Sequence, residues 1–404
     1  MVNVWLVFAG LTIFINCAQG YLYFERHGLP PADPPQTRAA VPLWGNITQN
    51  LDHFNSSNLD KWTMRYMYNG QFFRAGGPIL IMLGAEWTIE PSWLQSGQMY
   101  DIAREHGAFM FYTEHRFYGQ SMPRKVLTVD NLKYLNTDLA LADVAYFIRE
   151  IKKELPYLAQ SRVIVFGGSY GGNMAIWIRE MYPELIYAAV SSSAPILAKV
   201  DFKEYYESVQ TNLGTRCSSA INKGIHDVLK YLTTPSGVRK VQRDFNTCHL
   251  LDTSNIYDVQ YFFMMIASRI STALQYGNMD VVKKICDPFT HSPSSNHYES
   301  LANFFRAERC MSNYNDLVKV VNVLRPDGDE GLKPNVTRVI SLHGTLDPWF
   351  PLGLSRDLNP TSPVIIINGT SHCADLYSIS PADSVQLKNA KLQVQKYVGQ
   401  WIHE

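Results

Sequence analysis

The sequence predicts an α/β fold, a mostly parallel sheet with helices on both faces, formed by two stretches of chain that a helical insertion separates. Three features predict it. Short apolar runs rich in β-branched residues alternate with segments of helical spacing, the alternation stops near residue 196 and resumes near 335, and a Gly-x-Ser-x-Gly pentapeptide stands between one such run and a helix. Strand–helix–strand alternation favours parallel pairing, because the helix returns the chain to the same end of the sheet.

PILIMLGA (78–85), AFMFYTEHR (108–116), RVIVFGGS (162–169) and YAAVSSSAP (187–195) read as buried strands, since each is an apolar run bounded by Gly, Pro or charge. Segments 92–106, 136–153 and 171–183 have helical spacing, with Leu139, Ala142, Val144, Phe147 and Ile151 along one face of the second. Within 196–334 the runs DFKEYYESVQTNL, INKGIHDVLKYLTT, YDVQYFFMMIASRISTALQYG and LVKVVNVL read as helices and strand signals are scarce. RVISLHGTLD (338–347) and PVIIINGTSH (363–372) restore the strand pattern, and a last helix is expected over about 381–402. The expected organisation is a leader over 1–20, a first sheet-forming part over 21–195, a helical cap over 196–334 and a second sheet-forming part over 335–404.

With 404 residues, 46% of them hydrophobic, the chain has the composition of a globular protein with a large core. Lys plus Arg and Asp plus Glu are 36 each, which leaves no basic footprint and argues against a nucleic-acid partner. MVNVWLVFAGLTIFINCAQG carries no charged side chain and ends in small residues, Ala18 and Gly20, so it reads as a signal peptide cleaved after Gly20. Its apolar run is shorter than the roughly 20 residues a membrane span needs, and no later stretch is long and apolar enough, so stable membrane insertion is not expected. Cleavage removes Cys17 and leaves Cys217, Cys248, Cys286, Cys310 and Cys373 as disulfide candidates. Five is odd, so one thiol stays free or pairs between chains, and the clustering between 217 and 310 suggests that disulfides staple one region. Asn46, Asn55, Asn335 and Asn368 head Asn-x-Ser/Thr acceptor sequences. With the leader, these glycosylation candidates predict a secreted protein or one of lysosomal or endosomal compartments. No residue pattern points to a metal or a cofactor. A homodimer is compatible with the sequence, which leaves oligomeric state open.

Gly167-Gly168-Ser169-Tyr170-Gly171 lies between a strand and the helix that opens GGNMAIWIRE. That context is a nucleophile elbow, the signature of the α/β-hydrolase fold, in which small flanking residues admit a strained serine and the following helix aims N–H groups at an oxyanion. Without the strand and helix the same five residues would be an ordinary Gly-rich turn. A serine hydroxyl needs a base to take its proton, and the fold supplies an acid and then a histidine at later strand ends. Asp347 ends RVISLHGTLD and His372 ends PVIIINGTSH, so Ser169, Asp347 and His372 form the candidate catalytic triad. The competing readings are a turn aspartate before Pro348 and a loop histidine beside a glycosylation site; His53, His115 and His343 do not follow the acid in chain order. The oxyanion hole is expected from the Tyr170 N–H and a loop amide near Ala85. Glu86, Asn173 and Trp349 are candidates to touch substrate, Glu86 either by meeting a substrate amine or merely by capping a helix.

These residues resemble the family of prolyl carboxypeptidase, dipeptidyl peptidase II and thymus-specific serine protease. QNLDHF (49–54), KWTMRYMYN (61–69), EHRFYGQSMP (114–123), NTDLALADVAYFI (136–148), GGSYGGNMAIWIR (167–179), SSSAPILA (191–198), GTLDPW (344–349) and GTSHCADL (369–376) look like the family's blocks. GTSHCADLY and the tail SISPADSVQLKNAKLQVQKYVGQWI look most like the thymus-specific branch. The resemblance implies a serine exopeptidase acting on peptide bonds next to proline, with the triad at Ser169, Asp347 and His372. Two departures stand out. Between Cys310 and Asp347 the family's Trp-x-Tyr-Gln-x-Cys-Thr-Glu block and a further Cys-containing helix are missing, which shortens the cap and accounts for the odd cysteine count. LGAEW (83–87) has Ala85 and Trp87 where glycines are expected, which bears on the second oxyanion donor. A carboxylesterase or lipase would share elbow and triad, though the His-Gly-Gly-Gly type of oxyanion motif is absent. A catalytically impaired relative that acts as a binding protein is the remaining alternative.

Overall fold

The computed structural model describes residues 39–199, 201–248, 250–290, 296–306 and 334–404; the leader, Cys17, Cys310 and the helix expected over LVKVVNVL lie outside these. The described residues cluster into two compact units, one of 39–199, 334–345 and Trp349–Glu404, the other of 201–306 with Leu346–Pro348.

The first unit is organised by a sheet of β1 (Leu43–Asn50), β2 (Lys61–Asn69), β3 (Ile79–Leu83), β4 (Phe109–Thr113), β5 (Val163–Gly168), β6 (Ala188–Ser192), β7 (Val339–Gly344) and β8 (Val364–Ile367). Their order is β1-β2-β4-β3-β5-β6-β7-β8. β1 and β2 are antiparallel, as are β2 and β4, and every other pairing is parallel. This is the α/β-hydrolase fold. The six expected strands are present, each a little shorter than its apolar run. β1 and β2 were not expected, and their composition explains why. β1 is an edge strand with Gly45, Asn46 and Asn50 and several exposed side chains, so it lacks the continuous apolar run of a buried parallel strand.

In chain order the longer helices are α1 (Gln98–His106), α2 (Thr137–Glu154), α3 (Tyr170–Met181), α4 (Glu204–Tyr231), α5 (Pro235–Asp244), α6 (Ile256–Gln275), α7 (Met279–Thr290), α8 (His297–Arg306) and α9 (Val385–His403). α2 starts where Asn136 caps it, its Oδ1 accepting from the Leu139 N–H at 3.0 Å. α9 starts likewise at Ser384, whose Oγ accepts from the Leu387 N–H. Phe111, Phe147, Ile148, Val165, Met174 and Ile178 belong to the core that joins the sheet to α2 and α3. Beside it lies a buried ion network. Arg116 donates from Nε and Nη2 to the two Asp143 oxygens at 2.6 and 2.7 Å, and from Nη1 to the carbonyls of Leu51 and Tyr134. His53 Nε2 sits 2.7 Å from Asp143 Oδ1. One guanidinium thus ties the β1–β2 connection, the end of β4 and α2 together.

The second unit is helical throughout α4 to α8. The segments expected as separate helices at 201–213 and 221–234 run together as α4, with a kink at Gly214 (φ 75°, ψ 159°), while α5, α7 and α8, short helices of which α5 opens at Pro235 and α7 contains Pro288, were not expected. A disulfide joins Cys217 in α4 to Cys286 in α7 across 69 residues, and Cys248 is also disulfide-bonded. Cys373 corrects the sequence expectation: it is free and buried in the other unit, its Sγ lying 3.9 Å from the Ser192 carbonyl. No helix among the described residues is long and apolar enough to cross a membrane. Because both Arg116 and Asp143 are buried, Asp143→Ala leaves an uncompensated guanidinium and is expected to lower unfolding free energy by about 3–5 kcal/mol in urea titrations. A loss below about 1 kcal/mol, the range of exposed pairs, would show the network to be dispensable.

Candidate active site

Ser169 stands between the last residue of β5 and the first of α3, with φ 56° and ψ −128°. A residue with a Cβ adopts that conformation only where its surroundings hold it. Here its N–H donates to the Ser192 carbonyl at 2.9 Å, and its carbonyl accepts from the N–H groups of Gly172 and Asn173. The flanking glycines are dictated by space. A Cβ on Gly167 would run into the Gly171 carbonyl, and one on Gly172 would come within 2.8 Å of the Ser192 oxygen. Tyr170, as the first residue of α3, has an N–H with no acceptor inside the helix. Ala85 is buried in the loop after β3, and its Cβ lies 3.5 Å from where a Cβ on Gly171 would be, so that loop adjoins the elbow.

His372 follows β8 by five residues and is buried. The end of β6 anchors both it and Ser169: Ser192 holds Ser169, and Ser193 Oγ accepts from the Cys373 N–H at 2.9 Å. Ser192 Oγ also donates to Asp375 at 2.6 Å. The loop leading into His372 backs onto β7, where Gly344 faces the Thr370 and Ser371 carbonyls. Asp347 follows β7 by three residues and is fully buried, and the carbonyl of its neighbour Leu346 accepts from Asn212 Nδ2 at 3.1 Å.

The loop between β3 and α1 is fixed from below. Gly84 N–H donates to the Thr113 carbonyl, Trp87 Nε1 donates to the Tyr112 hydroxyl at 2.7 Å, and the Ile89 N–H reaches Glu114. Glu114 is itself held by Arg65, at 2.8 Å through Nε and 2.5 Å through Nη2, and by Ser121 Oγ. Trp87, one of the departures from the expected glycines, therefore serves as an anchor. Glu86, on the same loop, has Oε2 shut away from water with no hydrogen-bond partner among the described residues. Burial pushes its carboxyl up to about 7, opposed by its backbone hydrogen bond and by His372.

Sequence reasoning gave no role to two further groups. His115 is buried, and its Nδ1 lies 2.7 Å from the Arg116 carbonyl, so Nδ1 carries the proton. Burial depresses its pKa to about 4, and the ring stays neutral. Nε2 then accepts from the Tyr170 hydroxyl at 3.2 Å, while Thr137 Oγ1 lies 3.3 Å from the same hydroxyl. This fixes the side chain next to Ser169. Asp375 is the other group, its pKa raised chiefly by burial. Both lie in segments, EHRFYG and SHCADL, whose only sequence signal was the family resemblance. Of the substrate candidates, Asn173 commits Nδ2 to the Pro195 carbonyl at 3.1 Å, with Oδ1 buried and unbonded, and Trp349 stands half-buried two residues after Asp347. His53 belongs to the Arg116 network and His343 is buried within β7 under Gly353. The described residues hold no group of three or more His, Cys, Asp or Glu that could bind a metal.

A profile of the serine carboxypeptidase S28 family matches residues 49–325 and 327–394. The chain is 26% identical over 457 residues to the thymus-specific serine protease of Mus musculus, covering 90% of this chain and 88% of that one. It is 27% identical over 440 residues to the lysosomal Pro-X carboxypeptidase of Bos taurus, covering 89% and 87%. Both alignments are longer than this whole chain, so each relative contains residues that this one lacks. The break in the profile match at 326 falls between Cys310 and Asp347, where the sequence lacks the expected block. Among solved structures, the proline iminopeptidase of Mycobacterium smegmatis is similar at a TM-score of 0.40 and 13% identity, over 88% of this chain and 99% of that one. With the profile matched over most of its length, the chain belongs to the serine carboxypeptidase S28 family and is a serine peptidase.

Proposed function

We propose that the protein is a serine exopeptidase that cleaves peptide bonds next to proline through an acyl-enzyme on Ser169. The observation that carries the reading is the backbone of Ser169, held at φ 56° on a turn where Gly167 and Gly172 have no room for a side chain. In the proposed mechanism His372 takes the hydroxyl proton as Oγ attacks the carbonyl carbon, and returns it to the nitrogen of the leaving amine when the peptide bond breaks. Water then attacks the acyl ester, giving a proton to His372 that passes back to Ser169 Oγ. Asp347 fixes the imidazole tautomer, and the N–H groups of Tyr170 and Ala85 receive the oxyanion.

The proline preference has support in the name of the bovine relative, a Pro-X carboxypeptidase, and a physical rationale. Proline lacks an N–H and has a fixed φ, so it cannot join the strand-like pairing that many proteases use and needs a shaped pocket. The substrate is therefore a peptide, and the helical segment 196–334 is the proposed cap domain. The uncharged leader and the sequons favour a route to the outside of the cell or to lysosomes and endosomes, as does the bovine relative's lysosomal name.

Ser169→Ala and His372→Gln are each expected to lower kcat on a prolyl fluorogenic dipeptide by about ten-thousandfold or more with the fold unchanged. Fluorophosphonate should label the parent at Ser169 stoichiometrically. Turnover of a p-nitrophenyl ester without any of the prolyl peptide would instead indicate an esterase, and folded protein that takes no label would indicate a binding protein.

Glu86 provides a pH test. A glutamate in the unfolded chain titrates near 4.3, while the folded group titrates at about 7. Between these values the unfolded state has lost a proton that the folded state retains, so stability falls as pH rises through that window and levels off above it. Glu86→Gln should flatten this slope in thermal melts from pH 4 to 8, and an unchanged slope would show that the carboxyl is not buried in solution. Where Glu86 meets a substrate amine, the same variant raises KM for peptides with a free amino terminus and leaves N-acylated peptides unaffected.

A further inference from the structure

Among the described residues the sheet has two open edges, and they share a peculiarity. β1 and β8 are its outermost strands. Proteins usually blunt such edges with charged side chains, because unpaired N–H and C=O groups invite pairing with another chain. No Lys, Arg, Asp or Glu occurs from 39 to 51, which contains β1, or from 358 to 374, which contains β8. Both edges also expose apolar side chains, Val41 at 77%, Leu43 at 57% and Trp44 at 48% on one side and Ile366 at 39% on the other. β8 reads VIII, four β-branched residues without charge, the composition most prone to cross-β association.

Each edge carries a glycosylation sequon. Asn46 is exposed in the middle of β1, on the same side as Trp44, and Asn368 is exposed immediately after β8. Their amide nitrogens, the atoms that would bear sugar, take no hydrogen bond among the described residues. Asn368 uses only its oxygen, which accepts from Thr345 Oγ1 at 3.0 Å, and its backbone N–H, which donates to Gln386. By contrast Asn58, Asn131, Asn136 and Asn359, none of them in a sequon, commit Nδ2 to holding the fold. At β8 the side chains of Asp357 and Gln386 already take the N–H groups of Val364 and Asn368, so the remaining open stretch centres on Ile366, two residues from Asn368.

We propose that Asn46 and Asn368 carry N-linked glycans and that these glycans guard the two edges of the sheet, whose strands carry no charged residue of their own. The proposal rests on the secretory route argued above. The modification transfers an oligosaccharide from a lipid diphosphate donor: the bond from sugar C1 to the diphosphate oxygen breaks, C1 bonds to Asn Nδ2, and the displaced amide proton leaves with the diphosphate. A large hydrated group at each edge stops another strand from approaching while leaving the ladder intact.

The test is expression of the full chain in a glycosylating eukaryotic host, with peptide mapping after enzymatic deglycosylation in heavy-oxygen water. Association is then followed by light scattering for the folded protein before and after deglycosylation, and for Asn46→Gln with Asn368→Gln against Asn335→Gln, a sequon that precedes the interior strand β7. Occupied Asn46 and Asn368, and severalfold faster association of the edge double variant but not of Asn335→Gln, are expected. Deglycosylation of the already folded parent should reproduce the effect, and Ile366→Lys with Leu43→Lys should reverse it. Glycan at Asn55 or Asn335 but not at the edge sites overturns the inference alone, as does association that edge deglycosylation leaves unchanged. Four unmodified sequons overturn it together with the secretory route.

Discussion

Ser169 sits in a conformation that costs a residue with a side chain on the order of 1–3 kcal/mol, so the surrounding chain has to hold it there. Besides the first turn of α3, whose Gly172 and Asn173 N–H groups hold its carbonyl, the restraint comes from the end of β6. Ser192 accepts from the Ser169 N–H, its carbonyl leaves no room for a Cβ on Gly172, and Ser193 accepts from the amide beside His372. The same short stretch therefore sets the position of both Ser169, the proposed nucleophile, and the segment that carries His372, the proposed base. Packing at this spot tolerates no added atom, which is why the elbow is legible as a run of glycines rather than as a hydrophobic pattern.

Around the elbow the buried ionisable groups are sorted by how they are compensated. Arg116 and Asp143 are buried as a pair with matched geometry, and burial keeps His115 neutral with its Nδ1–H donating to a carbonyl. Glu86 and Asp375 have neither solution in full, and burial moves both toward their neutral forms. Carboxyls whose burial shifts them toward the neutral form in this way cluster at functional sites.

Much of this was legible in the sequence because the relevant signals are local. Central strands such as Ile79–Leu83 and Val163–Gly168 are continuous apolar runs, and Asn136 announces the start of α2. β1 was not legible because an edge strand loses the continuous apolar signal, and β2 because its apolar residues alternate with Lys61, Thr63 and Arg65; α5, α7 and α8 were not because each is short, with Pro235 opening α5 and a helix-breaking Pro288 inside α7. The His115–Tyr170 contact was invisible for another reason. It joins residues 55 apart through a tautomer fixed by a neighbouring carbonyl, and nothing in the order of residue types encodes that. Cys373 shows the limit of counting: parity says that one thiol is left over, but only its burial beside β6 says which.

The disulfide from Cys217 to Cys286 spans two helices of one compact unit, and Cys248 is bonded as well, whereas the sheet-bearing unit holds its cysteine as a thiol among the described residues. The two parts of the molecule thus answer to different chemistry. A reducing lumen would loosen the helices and leave the hydrogen-bonded sheet, with its elbow, untouched. Among the described residues, redox poise is thereby a handle on the helical unit alone.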